Sequence, residues 1–210
     1  KKKLINQHNV IKENSILIAS MNSNVELFNL LFSLGIELNT RNLSGYSPLY
    51  YAIENNNEEI FNLLVESDNI DINMEDIEGI TPLMHTIRKN NQTFVHKLLN
   101  HPNIDINKRS NEGKNILSHV LHTKYNKSAH QDSDIGFAGI DFAPYPQCFN
   151  NLSSKSIFDT TNNKNNLLVK LISILLDKGV DINQSDIFNN TPFMYVINNK
   201  DIQLFNLIIN

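Results

Sequence analysis

The sequence predicts an all-α solenoid in which short helix-turn-helix units stack one on the next. Two observations predict this architecture. Glycines recur at a fixed spacing of 34 residues, at Gly45, Gly79 and Gly113. Ser-Pro or Thr-Pro then recurs close behind, as at Ser47-Pro48 and Thr81-Pro82, and is followed by apolar residues at helical spacing. A fixed period of this length is typical of repeat proteins, in which each unit contacts only its neighbours.

Local chemistry defines the elements of one unit in order. The glycine before the Thr-Pro step tolerates a positive φ at little cost, and Asn189 takes its place in the last unit. Thr or Ser then caps a helix whose first position is Pro, as at Thr81-Pro82. An Asn-rich turn over residues 55–57 returns the chain into a second helix. Because such a pair cannot cover its own apolar face, we expect neighbouring units to bury it.

The segments that close the units complete a pattern that resembles the ankyrin-repeat family. These segments are Asp71-Ile72-Asn73, Asp105-Ile106-Asn107 and Asp181-Ile182-Asn183. In the family, Gly-x-Thr-Pro-Leu-His-x-Ala leads to a second helix ending in Leu-Leu and then to Gly-Ala-Asp-Val-Asn. The resemblance implies β-hairpin finger turns and one domain over residues 1–210. Its five units are expected at 12–41, 42–75, 76–109, 110–185 and 186–210.

The chain departs from the family pattern at two places. The family histidine is replaced by Tyr50, Met84, Ser118 and Met194, so the hydrogen bonds that it makes between units are expected to be missing. The last unit ends in apolar residues without a polar capping unit. We therefore expect a fragment of a longer array, with further repeats of the same chain at both ends, or a stack that a partner shields. A naturally short protein with a frayed last unit is the alternative.

The fourth unit is expected to contain an insertion at residues 126–168, between its two helices. Counting from Gly113, the period predicts the turn between the helices near Tyr125, yet the second helix resumes only around Leu168, about 43 residues late. The middle of the insertion is rich in aromatic residues, including Phe137, Phe142 and Tyr145. A segment this apolar is expected to pack against another protein surface. It either packs on its own solenoid or acts as a partner-binding arm.

Composition narrows the classes of function. The net charge of −4 and the pI near 6.0 give no basic footprint, so nucleic acid is not expected as a partner. No apolar stretch approaches the roughly 20 residues that span a bilayer. The single cysteine, Cys148, suits a reducing compartment. We expect a cytoplasmic protein without membrane insertion. Runs of asparagine, as at residues 55–57, are interpreted as a bias of the coding genome rather than as chemistry.

The sequence contains no motif that indicates catalysis. It has no glycine-rich phosphate loop, no Gly-x-Ser-x-Gly and no His-Glu-x-x-His. His119 and His122 lie three residues apart on a predicted helix, but no further ligand follows at the spacing of a metal site. Cys148 lacks a motif that names a catalytic partner. The sequence therefore predicts no enzyme, no cofactor and no metal.

The resemblance implies a protein-interaction module that holds its partner on a concave face made of fingers and first helices. The family's variable positions, carried over residue by residue, are Leu43, Ser44, Tyr46, Glu54, Ile77, Glu78, Ile80, Arg88, Lys89, Glu112, Lys114, Ile187 and Phe188, and the insertion adds Phe137, Phe142 and Tyr145. Apolar members are expected on the finger tips, either as partner anchors or packed against adjacent tips. The alternative is the scaffold or targeting part of a larger enzyme, channel or receptor.

Overall fold

The structure is a computed structural model that describes residue 9 and residues 13–89, 91–125 and 164–209. All regular elements of this part of the protein are helices. They are α1 (Ser15–Met21), α2 (Val25–Ser33), α3 (Pro48–Glu54), α4 (Glu58–Val65), α5 (Pro82–Arg88), α6 (Gln92–Leu99), α7 (Ile116–Tyr125), α8 (Lys164–Asp177), α9 (Pro192–Asn198) and α10 (Ile202–Ile209).

The helices form two layers that stack in sequence order. The first helices of the pairs, α1, α3, α5, α7 and α9, each contact the next in this series, and we call them the inner helices. Among the others, called the outer helices, α2 contacts α4 and α8 contacts α10. One apolar cluster runs through both layers, and within it the rings of Phe61 and Phe94 stack with centroids 3.8 Å apart. The predicted all-α solenoid of stacked units is confirmed.

The insertion predicted in the fourth unit is described only at its borders. Residues 126–163, which include Phe137, Phe142 and Tyr145, lie outside the described residues. Helix α7 ends at Tyr125, where the period predicts a turn. Helix α8 begins at Lys164, earlier than the expected Leu168, because its first turn starts with the polar sequence Lys-Asn-Asn and gives no apolar signal.

Polar side chains cap the N-termini of helices in both layers. At the inner helices, the side chains of Ser47, Thr81 and Thr191 each accept a hydrogen bond from the backbone N–H three residues later, and Pro follows each cap. At the outer helices, Asn24, Asn57 and Asn91 do the same. The predicted helix starts are therefore confirmed. The interpretation of the Asn-rich turns as compositional bias alone is wrong, because they satisfy backbone donors that a helix leaves free.

A row of asparagines after the outer helices joins each unit to the next, and we call Asn39, Asn73 and Asn107 the asparagine bridge. Each side chain donates to a backbone carbonyl of the following unit and accepts a backbone N–H from it. For Asn73, Nδ2 lies 2.7 Å from the oxygen of Asn103, and the amide nitrogen of Asp105 lies 2.9 Å from Oδ1. Hydrogen bonds thus connect the units although the family histidine is absent.

The segments on the two sides of the insertion are fixed to each other by polar contacts. Arg109 donates to the carbonyl of Ser185 at 2.5 Å, and Asn115 Nδ2 donates to the carbonyl of Asp181 at 2.6 Å. Asn107 of the asparagine bridge also accepts the N–H of Asp181 at 3.0 Å. The stack therefore continues through the fourth unit despite the long connection between its helices.

Candidate functional site

A tight turn precedes four of the inner helices, and we call these turns the fingers: residues 42–46, 76–80, 110–114 and 186–190. In each finger the first residue donates its backbone N–H to the carbonyl of the fifth, over 3.0 to 3.2 Å. The fourth residue has a positive φ, which is +77° at Gly45 and +59° at Asn189. The predicted glycine turn, with Asn as its substitute, is confirmed. These hydrogen bonds close each finger as a tight turn, and the four fingers contain no β-strand.

The fingers stack on one another through their backbones. The second residue of a finger donates its N–H to a carbonyl of the preceding finger, in the bonds Ile77 to Ser44 (3.3 Å), Asn111 to Glu78 (2.8 Å) and Ile187 to Glu112 (2.9 Å). A Cβ atom on Gly45 would lie only 2.6 Å from the nitrogen of Ile77, so this approach requires glycine. The fingers consequently form one row with a fixed spacing.

In three fingers the first residue also holds the inner helix, and we call this arrangement the brace. Asp76 Oδ1 accepts the N–H groups of Glu78 and Ile80 at 2.8 and 3.0 Å, while Oδ2 lies 3.0 Å from His85 Nε2. The equivalent side-chain pairs are Asn42–Tyr51 and Asp186–Tyr195. Burial alone raises the pKa of Asp76, but the hydrogen bonds from His85 and the backbone outweigh burial and hold this pKa below its ordinary value.

The finger at residues 110–114 has no brace. Its first residue is Ser110, which is only 6 % exposed, and Ser110 Oγ has no hydrogen-bond partner among the described residues. The residue nine positions later is His119, the counterpart of His85. Burial, followed by the positive charge of Arg88, lowers the pKa of His119 to about 3, so this imidazole is neutral at physiological pH.

A groove of about 470 Å³ lies between the fingers at 76–80 and 110–114 and is also lined by residues of α5 and α7. Six predicted contact residues line it, namely Ile77, Glu78, Ile80, Arg88, Glu112 and Lys114. Ser110 and His119 line the same groove. Fingers and inner helices therefore share one continuous surface.

The structure leaves four of the predicted apolar residues exposed at the finger tips. Leu43, Ile77, Ile187 and Phe188 are 56, 64, 61 and 68 % exposed, respectively. Tyr46 is half-buried instead, and its ring stacks on that of Tyr50 with the centroids 3.9 Å apart. Ser44 is half-buried, and its carbonyl accepts the N–H of Ile77.

Two residues expected on the partner-binding surface are largely buried. Ile80 is 7 % exposed and belongs to the apolar core cluster, so its expected exposure at a finger tip is wrong. Lys114 is 5 % exposed, and its Nζ lies 2.6 Å from Glu112 Oε2. Both residues occupy the fifth finger position, as Tyr46 does. This position is next to the helix cap and faces the body of the solenoid rather than solvent.

The other predicted charged residues lie along the inner helices and fingers. Lys89 Nζ is 2.5 Å from Glu54 Oε1, and this pair joins α5 to the preceding unit. Glu78 has a raised pKa because of burial and because Asp76 lies nearby. Four of the predicted charged residues are therefore engaged in ion pairs within the protein, as Lys89 with Glu54 and Lys114 with Glu112.

The described ranges offer no cluster of metal ligands. Within residues 13–89, 91–125 and 164–209 no three His, Cys, Asp or Glu side chains are grouped so that they could hold a metal ion. Burial and the charge of Lys114 lower the pKa of His122. Cys148 lies outside the described residues. None of the helices in the described ranges has the length and apolar character needed to cross a membrane.

Sequence reasoning missed the braces. A signal was present, because Asn42, Asp76 and Asp186 share the first finger position and a Tyr or His follows each of them nine residues later. The same alignment of the fingers also marks Ser110 as the exception.

Comparisons with known proteins agree with this architecture. Residues 2–76 match the sequence model of the family described as Ankyrin repeats (3 copies). A protein of Borreliella burgdorferi that carries the name of an ankyrin repeat protein is 43 % identical over 56 residues, which are 27 % of this chain and 26 % of that protein. The match thus spans about a quarter of this curated relative.

Solved structures share the fold across nearly the whole sequence. A crystal structure of an ankyrin repeat domain from Acinetobacter baumannii AYE has a TM-score of 0.69 and 15 % identity, covering 100 % of this chain and 86 % of that one. The ankyrin repeat protein EF0377 gives a TM-score of 0.69 at 16 % identity, covering 98 % and 84 %. The repeated caps and the stacked fingers agree with this fold, which is that of an ankyrin-repeat stack, and residues 2–76 resemble the ankyrin-repeat family in sequence as well.

Proposed function

We propose that this protein binds another protein through its finger face, defined as the fingers together with the exposed sides of α3, α5, α7 and α9. Ankyrin repeats are generally protein–protein interaction modules. The observation that carries the proposal is the line of exposed apolar tips at Leu43, Ile77, Ile187 and Phe188. Aliphatic and aromatic side chains in an exposed row are typical anchors of protein interfaces.

The rigidity of the row supports this role. Backbone hydrogen bonds between successive fingers fix the spacing of the tips before any partner arrives. A preformed surface loses little conformational entropy on binding, so more of the contact energy contributes to affinity. The groove beside Ile77 adds a concave region next to the tips, where a partner side chain can be enclosed.

The proposal places the protein and its partner in the cytoplasm, where a single unpaired cysteine is usual. With a net charge of −4, the protein offers its partner a mixed surface rather than a basic one.

Affinity capture from a lysate with paired variants tests the finger face. We expect Ile77→Asp combined with Phe188→Asp to remove the specific partner, because charged side chains would replace two anchors. Leu30→Asp combined with Ile202→Asp is the matched control, since Leu30 and Ile202 are 58 and 73 % exposed but lie on outer helices. All four sites are exposed, so each substitution should change the free energy of unfolding by less than about 0.5 kcal/mol. Capture that is unchanged by the tip variants would contradict the proposal.

A second variant tests whether the insertion contributes to binding, as expected for Phe137, Phe142 and Tyr145. Residues 126–163 would be replaced by a short Gly-Ser linker, which leaves α7 and α8 complete. A partner that is lost with the tip variants but retained with this replacement is held by the finger face. A partner lost only with the replacement is held by the insertion arm, and the finger face is then not the main site.

A further inference from the structure

Three fingers contain an acceptor oxygen at the same place in the turn. A side-chain oxygen of the first residue accepts the backbone N–H groups of the third and fifth residues, at distances of 2.8 to 3.0 Å, in the fingers beginning at Asn42, Asp76 and Asp186. In each finger, the other polar atom of that first residue contacts the residue nine positions later. One amide or carboxylate thus satisfies two backbone donors and one helix side chain.

The finger at residues 110–114 lacks this oxygen. Ser110 is too short to fill the position, and among the described residues neither the N–H of Glu112 nor that of Lys114 donates a hydrogen bond. Ser110 Oγ is buried without a partner and lines the groove. Unsatisfied buried polar groups are costly, so a ligand that supplies the acceptor has a clear energetic reason to bind.

The groups around this position suit an anion. His119 occupies the place from which His85 contacts the carboxylate of Asp76 in the preceding unit. The finger leads directly into the N-terminus of α7, where the helix dipole favours negative charge. Among the charged residues that line the groove, Arg88 and Lys114 balance Glu78 and Glu112. An incoming carboxylate therefore meets no net negative charge.

We infer that the finger at residues 110–114 is a carboxylate-binding site, in which a carboxylate of the partner takes the position that the side chain of Asp76 occupies in its own finger. The N–H groups of Glu112 and Lys114, the hydroxyl of Ser110 and the imidazole of His119 hold it. This inference rests on the proposed protein-binding function and specifies an acidic side chain or the terminal carboxylate of the partner.

The first experiment is an NMR titration of the ¹⁵N-labelled protein with sodium acetate, and with acetamide as the uncharged control. We expect saturable shifts of the Glu112 and Lys114 amides with acetate and not with acetamide, while the Glu78 and Ile80 amides stay unchanged because Asp76 already occupies them. N-acetyl-aspartate N-methylamide and N-acetylglycine then distinguish a side-chain carboxylate from a terminal one. Equal responses to acetate and acetamide, or no response, would overturn the inference.

Two substitutions exchange the first residues of the two fingers, and each serves as a control for the other. Ser110→Asp supplies the carboxylate internally, so we expect it to abolish the acetate response and to raise the thermal midpoint by about 2 to 4 °C. Asp76→Ser removes the brace, so we expect a new acetate response at Glu78 and Ile80. An acetate response that persists in Ser110→Asp would also overturn the inference. If acetate gives no specific response but capture still depends on the finger tips, the carboxylate site is rejected and the finger face is retained. If acetate gives the expected response but capture does not depend on the tips, only the finger face is rejected.

Discussion

The two edges of the solenoid join their units by different means. At the asparagine bridge the connecting group is a side chain, which donates to one backbone atom of the next unit and accepts from another. In the finger row the recurring links are backbone N–H to carbonyl bonds, joined at one step by the side chain of Asn111, which donates to the carbonyl of Ile77, and the apolar side chains at the tips project into solvent. The first edge therefore depends on the identity of its residues. The second depends mainly on backbone groups, so its apolar tip side chains are available for recognition.

Glycine substitutions should give the largest difference in the free energy of unfolding between the two edges. Gly79 has φ +74°, and a Cβ there would lie 2.8 Å from the nitrogen of Asn111, whereas Gly179 has φ +81° with no atom within 4 Å. We expect Gly79→Ala to cost about 3 kcal/mol, because strain and a backbone clash combine, and Gly179→Ala about 1 kcal/mol from the positive φ alone. Urea unfolding of both variants measures this difference. Equal losses would show that the fingers are not closely packed.

Removing one link of the asparagine bridge should have an intermediate effect. Asn73→Ala deletes two hydrogen bonds and leaves backbone groups of Asn103 and Asp105 without their partner, so we expect a loss of about 2 kcal/mol. Asn103→Ala is the control, because Asn103 contributes its carbonyl and not its side chain to the bridge. Urea midpoints report both variants. If Asn103→Ala destabilises as much as Asn73→Ala, the side-chain bonds are not what joins the units.

Lowering the pH should destabilise the finger row, and this change in stability should be the smallest of the three. The folded pKa of Asp76 is lowered, so its stabilising contribution is fully present above the unfolded value, about 4, and is lost as the pH falls through the folded pKa. We expect the unfolding midpoint of Asp76→Asn to fall less steeply below about pH 4 than that of the wild type. A partial decline should remain, because the pKa of Asp186 is lowered in the same way. Parallel declines in wild type and variant would reject a role for the brace.

The fold was predictable because each unit repeats its own local signals. The Ser-Pro and Thr-Pro steps mark helix starts in three units, and the glycine period marks the turns, so the register of these units could be read without long-range information. Asn189, which stands where the other fingers have glycine, also has a positive φ. This replacement was predictable too, because Asn tolerates a positive φ better than most residues.

The site was predictable only in part, because burial at the fingers depends on neighbouring units. Ile77 and Ile80 have the same side chain three residues apart, yet one is 64 % and the other 7 % exposed. Hydrophobicity does not distinguish them, whereas their positions in the turn do. The missing brace at Ser110 likewise becomes visible only when the four fingers are aligned with their helix partners.

The contacts across the fourth unit explain how this array accommodates so long a connection. Lengthening a loop from about 3 to about 40 residues raises the entropy cost of closing it by only about 2 kcal/mol. The bonds from Arg109 to Ser185 and from Asn115 to Asp181 join the segment before α7 to the segment after α8, and they offset a cost of that size. New sequence can therefore be added at this point by evolution, or by protein engineers, while the rod on either side stays continuous.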